Sequence, residues 1–398
     1  MLEIKEEKHF LTHQLTPLFG EISKFKQRKN FENSPLYAKL KNQISEVVNG
    51  IEWDNSISKN CETKEKIRVV AWNIERGKNL KGIIWALQNE SILAEADILL
   101  LSEVDNGMGR SQNKNVAREI ALALQMNYCF ANSYLVLSKG THGETSHKIP
   151  NSLGLHGSAI LSKFKITHCE NAILSILKDK FTSSEKRLGS KKSCVAKIQI
   201  GEKSLGLGVA HLDSGASPKQ RAEQLQGILE SLGKTKAETQ IIGGDFNTTT
   251  WDFSNYFSTV REMLYKGFIF GIDETIENYL VPFKRFEKPI FDKLNEYGYN
   301  FKDFNEEQKG TLFFEVADEI ASKKALELMP KFLLNYAKKR LAKWDGKIPM
   351  KLDWFAVKSD LEDFKRRKKN IFTKVIETQD FEGLRISDHI PLVLDLNI

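Results

Sequence analysis

The chain has 398 residues, 41% of them hydrophobic, and 59 Lys and Arg against 52 Asp and Glu give a formal net charge of +7. That length can bury a full core, the composition agrees with a soluble enzyme, and the charge is too mild to name a polyanionic partner. No apolar stretch reaches transmembrane length, the charged start Met1 to Lys8 does not read as a secretory signal, and Cys61, Cys129, Cys169 and Cys194 are scattered without zinc spacing, so a cytoplasmic protein with reduced thiols is expected.

Residues 1–65 precede the first polar-ended strand. Leu15, Leu18, Phe19 and Ile22 suggest one helix, and Leu36, Leu40, Ile44, Val47, Val48 and Ile51 fall at the spacing of another. They predict a helical N-terminal extension over 1–65 packed on a body spanning 66–398. Ile67 to Ala71 then reads as a strand that runs into Asn73. Ala96 to Leu101 is a second, running into Glu103, with Asp105 and Arg110 close behind. Val116, Ala117, Ile120, Ala121 and Leu124 mark an amphipathic helix, and Cys194, Ala196, Ile198 and Ile200 alternate as a half-buried strand.

Leu205 to Ala210 ends in His211 and Asp213. Ser217-Pro218-Lys219-Gln220 reads as a helix start with an N-cap serine, a first-position proline and a capping-box glutamine. The apolar run Gln240 to Ile242 ends in Gly243-Gly244-Asp245-Phe246-Asn247. Alternation along an extended backbone would put Asp245 and Asn247 on one side. A helical insertion is expected within about 251–350, from Phe313 to Met329 and, after Pro330, from Lys331 to Trp344. Lys351 to Val357 is a late strand carrying Asp353, and Ser387-Asp388-His389 precede the last strand.

Phosphoester hydrolysis needs an acid that can take a proton and an amide that can hold a substrate oxygen. Asp245 and Asn247 supply both. Each polar strand end also has a plainer reading. Asp-x-Asn and Asn73 can be turns, Glu103 a helix cap, His211 a core histidine, and Ser387-Asp388 a loop. Specificity comes from the recurrence of the same pattern in five segments.

The order Asn73, Glu103, His211, Asp245 with Asn247, and Ser387-Asp388-His389 resembles the endonuclease/exonuclease/phosphatase (DNase I-like) superfamily, and His156 to Phe164 looks like that family's central strand. The resemblance runs from about residue 66 to the C-terminus. It implies an α/β fold, a four-layer sandwich of two packed mixed β-sheets flanked by helices. It implies Glu103 as the principal metal ligand, with Asn73 beside it, and Asp245 as the group that orients or deprotonates water. Asn247 would hold that water or a phosphate oxygen. His211 and His389 would donate to the non-bridging oxygens, Asp388 would orient His389, and Asp353 would support the site.

Carboxylate and amide ligands suit a hard divalent cation, Mg²⁺ or Mn²⁺. Arg110 is either a bidentate phosphate clamp or half of a structural ion pair, and His156 either reaches the cleft or closes a strand. The expected reaction is metal-dependent hydrolysis of a phosphodiester, as in a nuclease. The alternatives are hydrolysis of a phospholipid or small phosphomonoester, or a catalytically inert binding member of the fold. The Pro-Ala-Trp-Cys-Asp-Arg-type motif of inositol 5-phosphatases is missing near Asp353, which disfavours that subclass. Lys331, Lys338, Lys339, Arg340 and Lys343, and the run Lys365 to Lys369, would meet nucleic acid or, ranked behind it, a membrane surface, unless they form a solvated face. No obligate protein partner is inferred.

Overall fold

Strands that bury both of their faces build the centre of the molecule. In β4 (Lys66–Asn73), Ile67, Val69 and Ala71 face one apolar cluster while Val70 and Trp72 face another, as period-two alternation requires. The computed structural model describes residues 1–58, 63–140, 148–249, 271–315, 347–359 and 371–398. The predicted basic helix at 331–343 and the run 365–369 lie outside the described residues.

Ahead of β4 come β1 (Leu2–Glu3), β2 (Lys8–His9), α1 (Phe19–Ser23), α2 (Arg28–Glu32), α3 (Pro35–Val48) and β3 (Ile51–Asp54). After it come α4 (Leu80–Asn89), β5 (Ile98–Asn106), α5 (Val116–Leu124), β6 (Asn127–Val136), β7 (Leu155–Ser162), β8 (Lys165–Ile173), β9 (Arg187–Gly189), β10 (Lys192–Ile200), β11 (Lys203–His211), α6 (Pro218–Lys234) and β12 (Thr239–Asp245). The chain continues through α7 (Ile272–Leu280), α8 (Lys288–Glu296), the antiparallel pair β13 (Leu312–Glu315) and β14 (Lys347–Met350), then β15 (Asp353–Ser359), β16 (Phe372–Val375) and β17 (Leu392–Asn397).

A six-stranded sheet runs β1-β8-β10-β11-β12-β15, and a nine-stranded sheet runs β16-β17-β4-β5-β7-β6-β3-β2 with β9 on β6. Both are mixed, because β4 with β5 and β11 with β12 are parallel among otherwise antiparallel neighbours. The inner faces of the two sheets meet: Val69, Leu100, Ile160, Ala196, Leu207 and Phe355 share the core between them. Helices α1 to α5 cover the outer face of the larger sheet through Ile22, Phe31, Ile44, Ile83 and Ile120. Helices α6 and α8 cover the smaller one through Leu225, Ile228 and Phe291. The result is helix, sheet, sheet, helix, the four-layer sandwich expected.

Several local readings hold and others change. The capping box at Ser217 and Gln220 is formed, and α6 follows it. Ala196 to Ile200 alternates buried and half-buried residues as expected, whereas Lys192 to Ala196 is buried on both faces. Leu312–Glu315 is a strand paired with β14, so the helix expected from Phe313 does not start there. Ile51, placed in the helical stripe, begins β3 instead.

The first 58 residues enter both sheets, through β1 on β8 and β3 on β6. Two lysines also anchor them. Lys186 Nζ donates to the carbonyls of Ser23 and Phe25 at 2.8 and 2.6 Å, and Lys192 Nζ donates to that of Val48 at 2.6 Å. These are the orphan carbonyls at helix C-termini, where a cation is favoured.

Candidate active site

The two parallel pairs explain why the polar strand ends converge. Parallel neighbours finish at the same edge, and in open α/β sheets that edge is where ligands bind. Asn73 ends β4, and Glu103 lies in β5 one residue beyond Ser102, the register partner of Asn73. His211 and Asp245 end β11 and β12 directly opposite each other. β15 is antiparallel to β12, so its first residue, Asp353, falls opposite Asp245. The loop holding Ser387, Asp388 and His389 precedes β17, which is antiparallel to β4 and starts opposite Ala71.

Contacts then cross from one sheet to the other. Asn73 Nδ2 donates to Asp245 Oδ2 at 3.2 Å. His211 Nε2 is 3.7 Å from Glu103 Oε1 and 4.0 Å from Asp245 Oδ2. His389 Nδ1 meets Asp353 Oδ2 at 2.8 Å, and its Nε2 lies 3.9 Å from Asp245 Oδ2. Ser387 Oγ donates to the Asn73 carbonyl at 2.7 Å, and Trp72 Nε1 to the His389 carbonyl at 2.9 Å, which ties the loop to β4.

Backbone geometry aims the groups. Glu103 has φ of 52° at an irregularity in the β5–β7 ladder between Leu101 and Val104. A bulge of this kind re-aims one side chain at a sheet rim. Asn247 has φ of 49°, so a left-handed turn rather than strand alternation returns its Nδ2 to Asp245 Oδ2 at 3.0 Å. Asn accepts that conformation more readily than most residues. Gly244 has φ of 129°, and a Cβ there would sit 2.4 Å from the Ala210 carbonyl oxygen, so glycine is required one residue before Asp245.

Electrostatics separate the roles. Burial, and then the neighbouring Asp353, push the Asp245 carboxyl up to about 7, near the range that suits a general base. Burial works against charge on His389, but Asp353 and then Asp245 outweigh it and hold its pKa well above the usual imidazole value. Burial, with Lys191 next, pushes His211 well below that value. The two histidines are therefore pushed in opposite directions. Burial also opposes charge on Glu103, yet the Arg76 guanidinium holds its carboxyl well below the usual carboxylate range.

The donor set fits a cation. Carboxylate oxygens of Asp245 and Asp353 lie within 4.8 Å of each other, and Asp353 Oδ1 is buried with no hydrogen-bond partner. Glu103 contributes a further carboxylate across the site. Oxygen donors of this kind suit a hard divalent ion.

One expected partnership changes, and two residues given with alternatives find structural partners. Asp353, not Asp388, holds the His389 ring; Asp388 receives only a 3.5 Å contact from Ser387 Oγ. Arg110 is buried and clamps Asp105 through two bonds of 2.6 and 2.9 Å while also meeting Glu185 at 2.7 Å, so its guanidinium is spent on the structural alternative. His156 Nδ1 lies 2.8 Å from Asp105 Oδ1 in the same buried cluster, although its ring also lines the cleft beside His211.

Sequence reasoning missed other contributors. Arg76 Nε lies 3.4 Å from Glu103 Oε2. Thr311 Oγ1 accepts from the backbone N–H groups of Leu352 and Asp353, both at 3.0 Å, and the Thr311 carbonyl accepts from Ile390 at 2.8 Å. Lys191, among the charges that act on Glu103, His211 and Asp245, sits in an ordinary Lys-Lys pair. Only Arg76, in the polar string after Asn73, lay near a motif.

Solved structures resemble the chain at low identity. Humanized TDP2 of D. rerio matches with 13% identity, 84% of this chain and 100% of that one covered, and a TM-score of 0.42. Beta toxin of Staphylococcus aureus matches with 16%, 82% and 99%, and 0.44, and the human Nocturnin catalytic domain with 15%, 84% and 93%, and 0.41. No curated protein matches. The sequence profile of the Endonuclease/Exonuclease/phosphatase family matches residues 70–274, more than half of the chain, and the chain belongs to that family.

Proposed function

We propose that the chain is a divalent-metal-dependent phosphoester hydrolase acting on phosphodiesters, as a nuclease or related phosphodiesterase. The observation that carries this is the setting of Asp245. Its carboxylate is touched by Asn73 and Asn247 and faced by both His211 and His389, with Glu103 on the far side of His211.

In this reading Glu103 and Asn73 hold Mg²⁺ or Mn²⁺, with Asp245 and Asp353 adding negative charge. The bound ion would neutralise the phosphate and make a water molecule more acidic. Asp245 accepts the proton of the attacking water, and Asn247, whose amide is fixed by Asp245 and by the Leu212 carbonyl at 2.8 Å, positions it. His389 donates Nε2–H to a non-bridging oxygen as charge builds, while Asp353 holds the ring through Nδ1. An inert binding role is disfavoured because each of these groups is present and mutually placed.

Phospholipid or phosphomonoester hydrolysis would use the same groups. The test is turnover with Mg²⁺ and Mn²⁺ on single-stranded DNA, RNA, sphingomyelin and bis(p-nitrophenyl) phosphate. Metal-dependent cleavage of DNA, RNA or bis(p-nitrophenyl) phosphate supports the reading. Cleavage of sphingomyelin alone, or of none of the panel, overturns it.

A further inference from the structure

The link from β9 to β10 passes from the nine-stranded sheet to the six-stranded one, and it carries two cations to the edge of the catalytic cluster. β9 pairs with β6, setting Arg187 opposite Val136 and Gly189 opposite Tyr134. The Arg187 guanidinium carbon lies 5.1 Å from the centroid of the Tyr134 ring. Its Nε is buried and has no hydrogen-bond partner. Glu185 pairs with Arg187, but that carboxylate also serves Arg110.

Lys191 is the second cation. The acids around it have closer partners. Asp213 is 3.7 Å from Lys180, Glu103 is 3.4 Å from Arg76, and Asp245 is 3.9 Å from His389. Among the described residues no hydrogen bond or ion pair holds the Lys191 ammonium, which is half-buried and which burial pushes down to about 8.

Both cations line one small cleft that opens to solvent, whose wall also includes Tyr134, His156, Ser158, Lys192 and His211. No acidic residue is among the described residues that line it. Lys192 Nζ is engaged by the Val48 and Ser133 carbonyls, which leaves Arg187 and Lys191 facing a space with no carboxylate in its wall, a setting that fits an anion. Its shared wall, His211, places it beside the Asp245 cluster rather than within it.

We propose that this cleft is a subsite for a second phosphate of the substrate, held by Lys191 and Arg187 and distinct from the phosphate attacked at Asp245. The assignment rests on the hydrolase reading above and narrows it to substrates with two phosphates close together.

Two esters test it: thymidine 5′-(p-nitrophenyl phosphate) and the same ester carrying a 3′-phosphate. Wild type should prefer the second in kcat/KM. Lys191→Ala and Arg187→Gln should each lower that preference by about tenfold, the effect of one charge-assisted hydrogen bond, and Lys191→Arg should restore most of it. A wild type without preference, or a preference that survives Lys191→Ala, overturns the proposal. Calorimetric binding of pyrophosphate in metal-free buffer gives a readout independent of turnover and should weaken in Lys191→Ala. Lys191-dependent binding without cleavage of either ester would sink the hydrolase reading and keep the subsite. Cleavage of both esters with binding indifferent to Lys191 would do the reverse.

Discussion

Asp353 and His389 belong to different sheets, yet Oδ2 of one lies 2.8 Å from Nδ1 of the other. Asp353 opens β15 of the six-stranded sheet, and His389 lies just ahead of β17 in the nine-stranded one. The pair closes the sandwich at the site and sets the charge of the imidazole. Asp353→Asn should therefore keep the fold, allow His389 to lose its proton at lower pH, and lower kcat by roughly 10²-fold, as expected for loss of a transition-state donor. The alkaline limb of the kcat profile should move to lower pH. An unchanged profile with a raised KM would assign the pair to substrate binding.

Glu103→Gln tests the metal assignment. A neutral oxygen replaces an anionic ligand for a hard cation, so turnover should be lost and calorimetric Mn²⁺ affinity should fall while the melting temperature is held. Near-wild-type turnover with the same metal dependence would remove Glu103 from the metal site.

The strand ends were legible because each ends an apolar run, and a polar group there has few structural uses in a core. Asn73, Glu103, His211, Asp245 and His389 could therefore be found from local pattern together with order. Partnership was not legible. Asp388 adjoins His389 in sequence and looks like its orienting carboxylate, but the β12–β15 register brings Asp353 there instead. Arg110 follows Glu103 by seven residues and looks like a substrate group. The chain after β5 folds it back onto Asp105, which no spacing rule encodes. Helical spacing at Leu36 to Val48 was read correctly, whereas Phe313 was assigned to a helix although pairing with β14 makes it a strand, an override of local propensity by tertiary pairing.

Arg110 gives a prediction about stability rather than substrate. Its guanidinium balances Asp105 and Glu185 in the interior. Arg110→Met would leave Asp105 only His156 and Glu185 only Arg187 as charged partners, and breaking a buried pair on one side costs about 3–5 kcal/mol. Urea unfolding should show a loss of that order. A phosphate clamp would instead leave stability intact and raise KM, and that outcome would refute the structural role.

His156 makes the same cluster pH-sensitive. Burial pushes its pKa down to about 4 from an ordinary 6.5, against the pull of Asp105. Between those values the unfolded chain binds a proton that the folded chain refuses. Its contribution to stability is thus full above pH 6.5 and falls as pH drops toward 4, with a limiting slope of about 1.4 kcal/mol per pH unit. In His156→Gln this slope should flatten. Urea midpoints at pH 7, 6 and 5 check it, and parallel curves for wild type and variant would show that another group titrates there.

Thr311 lies in the long interval between Asn247 and Asp353, yet it touches both sides of the Asp353–His389 pair. Its Oγ1 takes the N–H groups of Leu352 and Asp353, and its carbonyl takes that of Ile390, next to His389. Thr311→Val keeps the shape and removes the acceptor. Two buried N–H groups then lose their partner, at about 1–3 kcal/mol each where no water replaces it, and the start of β15 is freed to shift. Small displacements of a catalytic group are expensive, up to about 10²-fold for 1 Å. The variant should therefore lose kcat by about tenfold with KM little changed, and Thr311→Ser, which restores the oxygen, should recover most of it. A loss of stability with kcat intact would confine Thr311 to packing. Recovery of kcat by serine without recovery of the His389 pH profile would place its effect elsewhere than on the Asp353–His389 pair.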